Sequence, residues 1–132
     1  MREILFRGKS KSINKGEWIY GSFVEDTDLN ACCIRDKSLI YELVDRETVG
    51  QYTGLTDKNG KKIFEGDIVE FTDKFTYQKG RAEIVFEAFK WKYSGCYYGG
   101  NPIVWLCIDD TSIEFEVIGN IYDNPELLEV EE

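Results

Sequence analysis

Carboxylates give this chain most of its chemical capacity: 25 Asp and Glu stand against 16 Lys and Arg, with no histidine, in 132 residues. Glu65 and Asp67 flank Gly66. Two such carboxylates could trade a proton if their surroundings drove their pKa values apart. No histidine or activated nucleophile stands beside them to complete a catalytic set. Gly66-Asp67 before the apolar Ile68-Val69 reads instead as a turn entering a strand. Asp57-Lys58-Asn59-Gly60 has a superficial likeness to a calcium loop. That loop needs oxygen ligands at positions one, three and five and glycine at six. Counted from Asp57, positions five and six are Lys61 and Lys62. Asp57 is therefore expected to accept hydrogen bonds from turn amides.

The remaining reactive groups offer no cofactor or metal site. Cys32 and Cys33 are adjacent, Cys96 and Cys107 are far downstream, and no C-x-x-C occurs. Neighbours in a strand point to opposite faces, so the vicinal pair cannot converge on one ion. Gly99-Gly100 is followed by Asn101-Pro102, not by a helix carrying Lys-Ser or Lys-Thr, so no phosphate loop is present. No catalytic residue is assigned, and an enzyme without a recognisable motif ranks last among the functional readings.

Two stretches could bind a partner. Phe89, Trp91, Tyr93, Tyr97, Tyr98 and Trp105 are interleaved with Gly95, Gly99 and Gly100. Such rings can stack on bases or anchor a protein interface. Lys90 and Lys92 add local positive charge. In an extended strand Phe89, Trp91 and Tyr93 share one face with the lysines opposite, so most of these rings are expected in the core. Trp91, Tyr93, Tyr97 and Tyr98 are the candidate binding residues here. The second stretch is acidic. Residues 1–92 carry equal numbers of acids and bases, residues 93–108 carry no charge, and the net charge of −9 resides in 109–132. Strand alternation sets Glu114 and Glu116 on one face, away from Ile113, Phe115 and Val117. A partner docking there is expected to be basic, whereas nucleic acid should be repelled by this end.

Short strands must position these groups. Apolar alternation marks Glu3–Arg7, Trp18–Val24, Leu39–Val44, Asp67–Thr72, Arg81–Glu87, Ile103–Ile108 and Ile113–Ile118. β-branched and aromatic residues dominate these runs. Asn59-Gly60 marks a tight reversal, because both residues tolerate positive φ. Asn124-Pro125-Glu126 predicts a helix start, with Leu127 and Leu128 docking on the sheet. A seam falls near 45–60. The expected architecture is one domain, 1–132, with an N-terminal β portion over 1–50 and a barrel plus short C-terminal helix over 51–132. No apolar run approaches the length of a membrane span, and the opening Met1–Arg7 is too short for a signal-peptide core. A cytoplasmic protein is expected.

The run Gln51-Tyr-Thr-Gly-Leu-Thr-Asp-Lys-Asn-Gly-Lys-Lys-Ile-Phe-Glu-Gly-Asp-Ile-Val69 resembles the signature of the YopX-like family of phage and prophage proteins. Glu116–Leu128 resembles the family's C-terminal signature, and Arg2-Glu3-Ile4 with Phe6-Arg7 also fits. The resemblance implies a small β protein related to SH3-type barrels, and it implies no activity. The matched Gly54, Asp57, Gly60, Gly66 and Asp67 read as structural turn residues, as does Asn59 beside Gly60. The leading expectation is a non-enzymatic interaction module of a phage or prophage, acting on a host or phage protein. A nucleic-acid-associated protein using the aromatic and lysine face around 90–98 stands second.

Titration of the unfolded, unreduced protein is expected to find four thiols, and purified protein to hold no stoichiometric zinc.

Overall fold

A computed structural model describes residues 3–87, 90–98, 102–107 and 112–129, with backbone only at 87, 97 and 102–107. The chain is mainly β and divides into two compact units between Gly54 and Leu55. Gly54 itself has φ +88°, a conformation open to glycine and costly to most other residues.

The first unit contains β1 (Phe6–Lys9), β2 (Trp18–Asp26), β3 (Ala31–Arg35), β4 (Tyr41–Leu43) and the start of β5 (Gly50–Thr56). All pairings are antiparallel, in the order β4-β3-β2-β1-β5. Cys32, Ile34 and Val44 are buried on one face, with Phe6, Ile19, Phe23 and Val49 packed against them. A lone bridge between Ser10 and Val44 curls the β4 end toward the end of β1. Glu42 is buried in this unit and accepts hydrogen bonds from the backbone and side-chain N–H of Asn14. The Ser10 hydroxyl, opposed by burial and reinforced by Asn14, holds its carboxyl below the ordinary value.

Asp side chains shape the tips of two hairpins in this unit. Asp26 Oδ1 accepts from the N–H groups of Asp28 and Leu29, and Asp36 Oδ1 from those of Ser38 and Ile40. The second turn draws Leu39 out of the strand expected to begin there. Its φ is +63° and its side chain is exposed.

The second unit contains the end of β5, β6 (Lys62–Phe64), β7 (Asp67–Asp73), β8 (Lys79–Glu87), β9 (Lys90–Tyr97), β10 (Pro102–Cys107) and β11 (Ile113–Asn120). Its five-stranded antiparallel sheet runs β10-β9-β8-β7-β11. Val69 and Phe71 of β7, Ala82 and Ile84 of β8, Tyr93 of β9, Phe115 of β11 and Ile63 of β6 form the core. Tyr93 meets Phe71 at 5.4 Å and Phe115 edge-on at 5.1 Å between ring centroids, separations at which aromatic pairs attract beyond their area burial.

Two expectations need correction. No ladder among the described residues closes either sheet into a barrel. β11 pairs with β7, and its other edge is met by the β5–β6 turn, where Lys58 N–H donates to the Phe115 carbonyl at 2.9 Å. The expected short C-terminal helix is a single 3₁₀ turn, Pro125–Leu128. Asn124 does not cap it. Its Oδ1 instead accepts from Asn120 N–H, tying the side chain back to the end of β11. Residues 130–132 lie outside the described residues.

The Asn59-Gly60 reversal is present with a different geometry from that of a two-residue turn. Gly60 alone of the pair has positive φ, at +80°. Gly60 N–H donates to the Asp57 carbonyl and Asp57 N–H to the Lys61 carbonyl. This is a three-residue loop ending in a left-handed glycine, a common alternative to primed two-residue turns. A Cβ at Gly60 would meet nothing within 4 Å, so backbone strain alone penalises substitution. Gly60→Val should lower stability by roughly 1–2 kcal/mol. A urea melt with an unchanged midpoint would show that the left-handed position is not required.

Candidate functional surface

Two of the acidic residues of the 51–69 run, Asp57 and Asp67, are occupied by backbone. Asp57 is buried, and its Oδ1 accepts from Asn59 N–H and Lys61 N–H, both at 2.9 Å. Its Oδ2 accepts from Val117 N–H at 2.9 Å, where the β11–β7 register shifts between Val117 and Gly119. Burial pushes the carboxyl up, but the N–H groups of Val117, Lys61 and Asn59, with the Lys61 charge, outweigh it and hold the group below its ordinary value. Asp67 is likewise buried and accepts from Phe64 N–H at 2.7 Å across the β6–β7 turn. Between them Gly66 has φ +89°, donates to the Ile84 carbonyl and accepts from Ile121 N–H. The Glu65–Asp67 pair is thus not a matched acid–base set, because Asp67 is committed to a turn. Glu83 lies near Glu65, and burial, with the Glu65 charge, raises its carboxyl above the ordinary value.

The candidate binding residues fall on two sides of the second sheet. Tyr93 is 1% exposed, so it is a core ring and is withdrawn from the binding surface. Trp91 packs against the same core and contacts Phe86 at 4.8 Å between centroids. Lys92, one residue along the strand from each, belongs to the opposite face. A combined platform of rings and lysines is therefore not formed by Trp91, Lys92 and Tyr93. The side chains of Tyr97 and Trp105, and all of Phe89, Gly99 and Gly100, lie outside the described residues.

Tyr98, Glu114 and Glu116 belong to the side facing away from the core. Glu116 is the register partner of Glu70, and Glu70 that of Arg81. The Tyr98 hydroxyl donates to Glu70 Oε2 at 2.9 Å and accepts from Arg81 Nε at 3.0 Å. Burial first, and the bond to Glu70 second, raise the Tyr98 pKa. Arg81 also donates to the Leu127 carbonyl at 3.3 Å, which docks the C-terminal 3₁₀ turn on β8. Phe115 is buried between Glu114 and Glu116, whose side chains are 44% and 39% exposed. Lys58 Nζ lies 3.1 Å from Glu116 and 3.9 Å from Glu114, so these two acids are partly neutralised. The hydrogen bond to Glu116, with its charge, raises the Lys58 pKa. Asp109 and Asp110 lie outside the described residues.

One exposed feature escaped the sequence reading. Phe75 and Tyr77 in the β7–β8 turn are 82% and 79% exposed. The available signal was the pair of aromatics between Lys74 and Gln78, a place where turn-forming residues are the norm.

These features define a mainly β, two-unit protein whose motif carboxylates build turns. A family model described as "YopX protein" matches residues 5–129. The chain belongs to the YopX family. It is similar to the crystal structure of protein EF1440 from Enterococcus faecalis, with 26% identity and a TM-score of 0.57, covering 98% of this chain and 100% of that one. No curated protein matches it. Among the described residues no helix is long and apolar enough to cross a membrane.

Asp57→Ala should destabilise the protein by about 2 kcal/mol, through the loss of charge-assisted bonds to three amides. Because the folded pKa is depressed, the Asp57 contribution is fully present above the ordinary value of 3.8 and fades as pH falls toward the folded value. Stability curves against pH should therefore converge for wild type and variant in acid. Curves that stay parallel would remove Asp57 from that linkage.

Proposed function

We propose that this chain is a non-enzymatic interaction module, encoded by a phage or prophage and acting on a host or phage protein in the bacterial cytoplasm. The observation that carries this reading is the sharing of one outward face by Tyr98, Glu114 and Glu116, while Asp57 and Asp67 are spent on backbone amides. Tyr98 offers an aromatic ring with its hydroxyl already oriented, which limits the entropy lost on binding. The flanking charges of Glu70, Arg81, Lys58 and Glu116 suit a polar rim around such a contact. As part of this proposal the second unit is read as SH3-like. Support comes from the β7–β10 meander, the return of β11 beside β7, and the 3₁₀ turn that follows.

Immobilised wild type and a Tyr98→Ala/Glu114→Gln/Glu116→Gln variant can be compared for capture of proteins from host lysate across a salt series. A protein held by wild type and lost by the folded variant is expected, with retention falling as salt screens charges beyond about 8 Å. Identical capture by both proteins would remove this face from the binding surface.

A further inference from the structure

The β7–β8 turn is held by a continuous set of backbone and side-chain hydrogen bonds. Asp73 Oδ1 accepts from Phe75 N–H at 2.8 Å and from Thr76 N–H at 3.2 Å. Tyr77 N–H donates to the Asp73 carbonyl, Asp73 N–H to the Gln78 carbonyl, and Lys74 N–H to the Ser112 carbonyl. Gln78 N–H donates to Thr76 Oγ1 at 3.3 Å. Every backbone N–H from Asp73 to Gln78 is thus engaged, and the loop is fixed by its own bonds and by the chain entering β11. The residue at its left-handed position is Tyr77, with φ +61°. Glycine or asparagine would sit there without the strain a bulky side chain incurs. The loop instead holds a tyrosine in this conformation, close in sequence to an equally exposed phenylalanine.

We infer that Phe75 and Tyr77 are a pre-formed pair of anchors that insert into an apolar cleft with an acidic rim on a partner protein. This deepens the interaction-module reading and rests on it, but it uses different residues. Rigid aromatic side chains bury much area with few torsions to freeze, which is why they dominate the hot spots of interfaces. The rim charge follows from the loop itself. The Asp73 carboxylate is turned onto amides, whereas Lys74 is exposed beside Phe75. A single exposed lysine suits one carboxylate on such a rim, and does not match the dense array of charge on an anionic membrane or a nucleic-acid backbone.

The test places the photo-crosslinker p-benzoylphenylalanine at position 75, at position 77, or at exposed Leu39 as a control, in the full chain within cells that naturally carry it. The protein crosslinked from 75 or 77 and not from 39 is then purified. Its affinity is measured for wild type, Phe75→Ala and Tyr77→Gly. Glycine relieves the left-handed strain, so Tyr77→Gly should melt no earlier than wild type and yet bind at least about tenfold more weakly. Undiminished binding by Tyr77→Gly and Phe75→Ala would overturn the inference and leave the module reading standing. Absence of any position-specific crosslink, together with no partner for the Tyr98 face, would overturn both. Flotation of the wild type, lost in Tyr77→Gly, with vesicles of equal parts phosphatidylcholine and phosphatidylglycerol would replace the protein cleft by a lipid surface.

Discussion

The second unit depends on one carboxylate. Asp57 binds the N–H groups of its own turn with one oxygen and, with the other, that of Val117, 60 residues away in sequence. A buried charge is tolerable only when hydrogen bonds replace its water. Three amides do so here, and they come from both elements that must meet. The same contact covers the outer edge of β11, where an unpaired strand would offer its backbone to other chains. β11 in turn places Phe115 in the core and Glu114 and Glu116 outside it. The placement of both faces follows from where this edge is held.

Short polar side chains do comparable work throughout. Asp26, Asp36, Asp67 and Asp73 each accept from turn amides, and Glu42 holds Asn14. A small β protein has many reversals and few helices to satisfy its backbone, so carboxylates beside turns substitute for water and for ladders. Acids committed in this way are poor candidates for proton transfer, and the side chains left projecting outward include Tyr98, Phe75, Tyr77 and the Lys58–Glu116 pair.

Membership of the YopX family is consistent with that division, since the two recognisable stretches of sequence are the two partners in the Asp57 contact. The run 51–69 supplies the turn and its carboxylate. The stretch 116–128 supplies Val117 and the 3₁₀ turn that Arg81 holds against β8.

Read alone, the sequence determined the strand-rich class, the left-handed Gly60, the turn role of Asp57 and the outward pointing of Glu114 and Glu116. Each is a local property: side-chain alternation has a period of two, and only a few residues accept positive φ. It passed over β3, because Ala31-Cys32-Cys33 lacks the bulk that marks strands, and Ile34 is buried there only through its neighbours in β2 and β4. Spacing set Trp91 and Tyr93 on one face, opposite Lys92, and favoured that face as core, but that Tyr93 meets Phe71 of β7 and Phe115 of β11 there was decided by tertiary structure. Tertiary structure alone decided that β11 returns to β7 rather than closing a barrel, that Asn124 ties back to Asn120 rather than starting a helix, and that Lys58 stands between Glu114 and Glu116. Those outcomes join residues far apart in the chain or set one local bond against another, and no local pattern encodes which bond prevails.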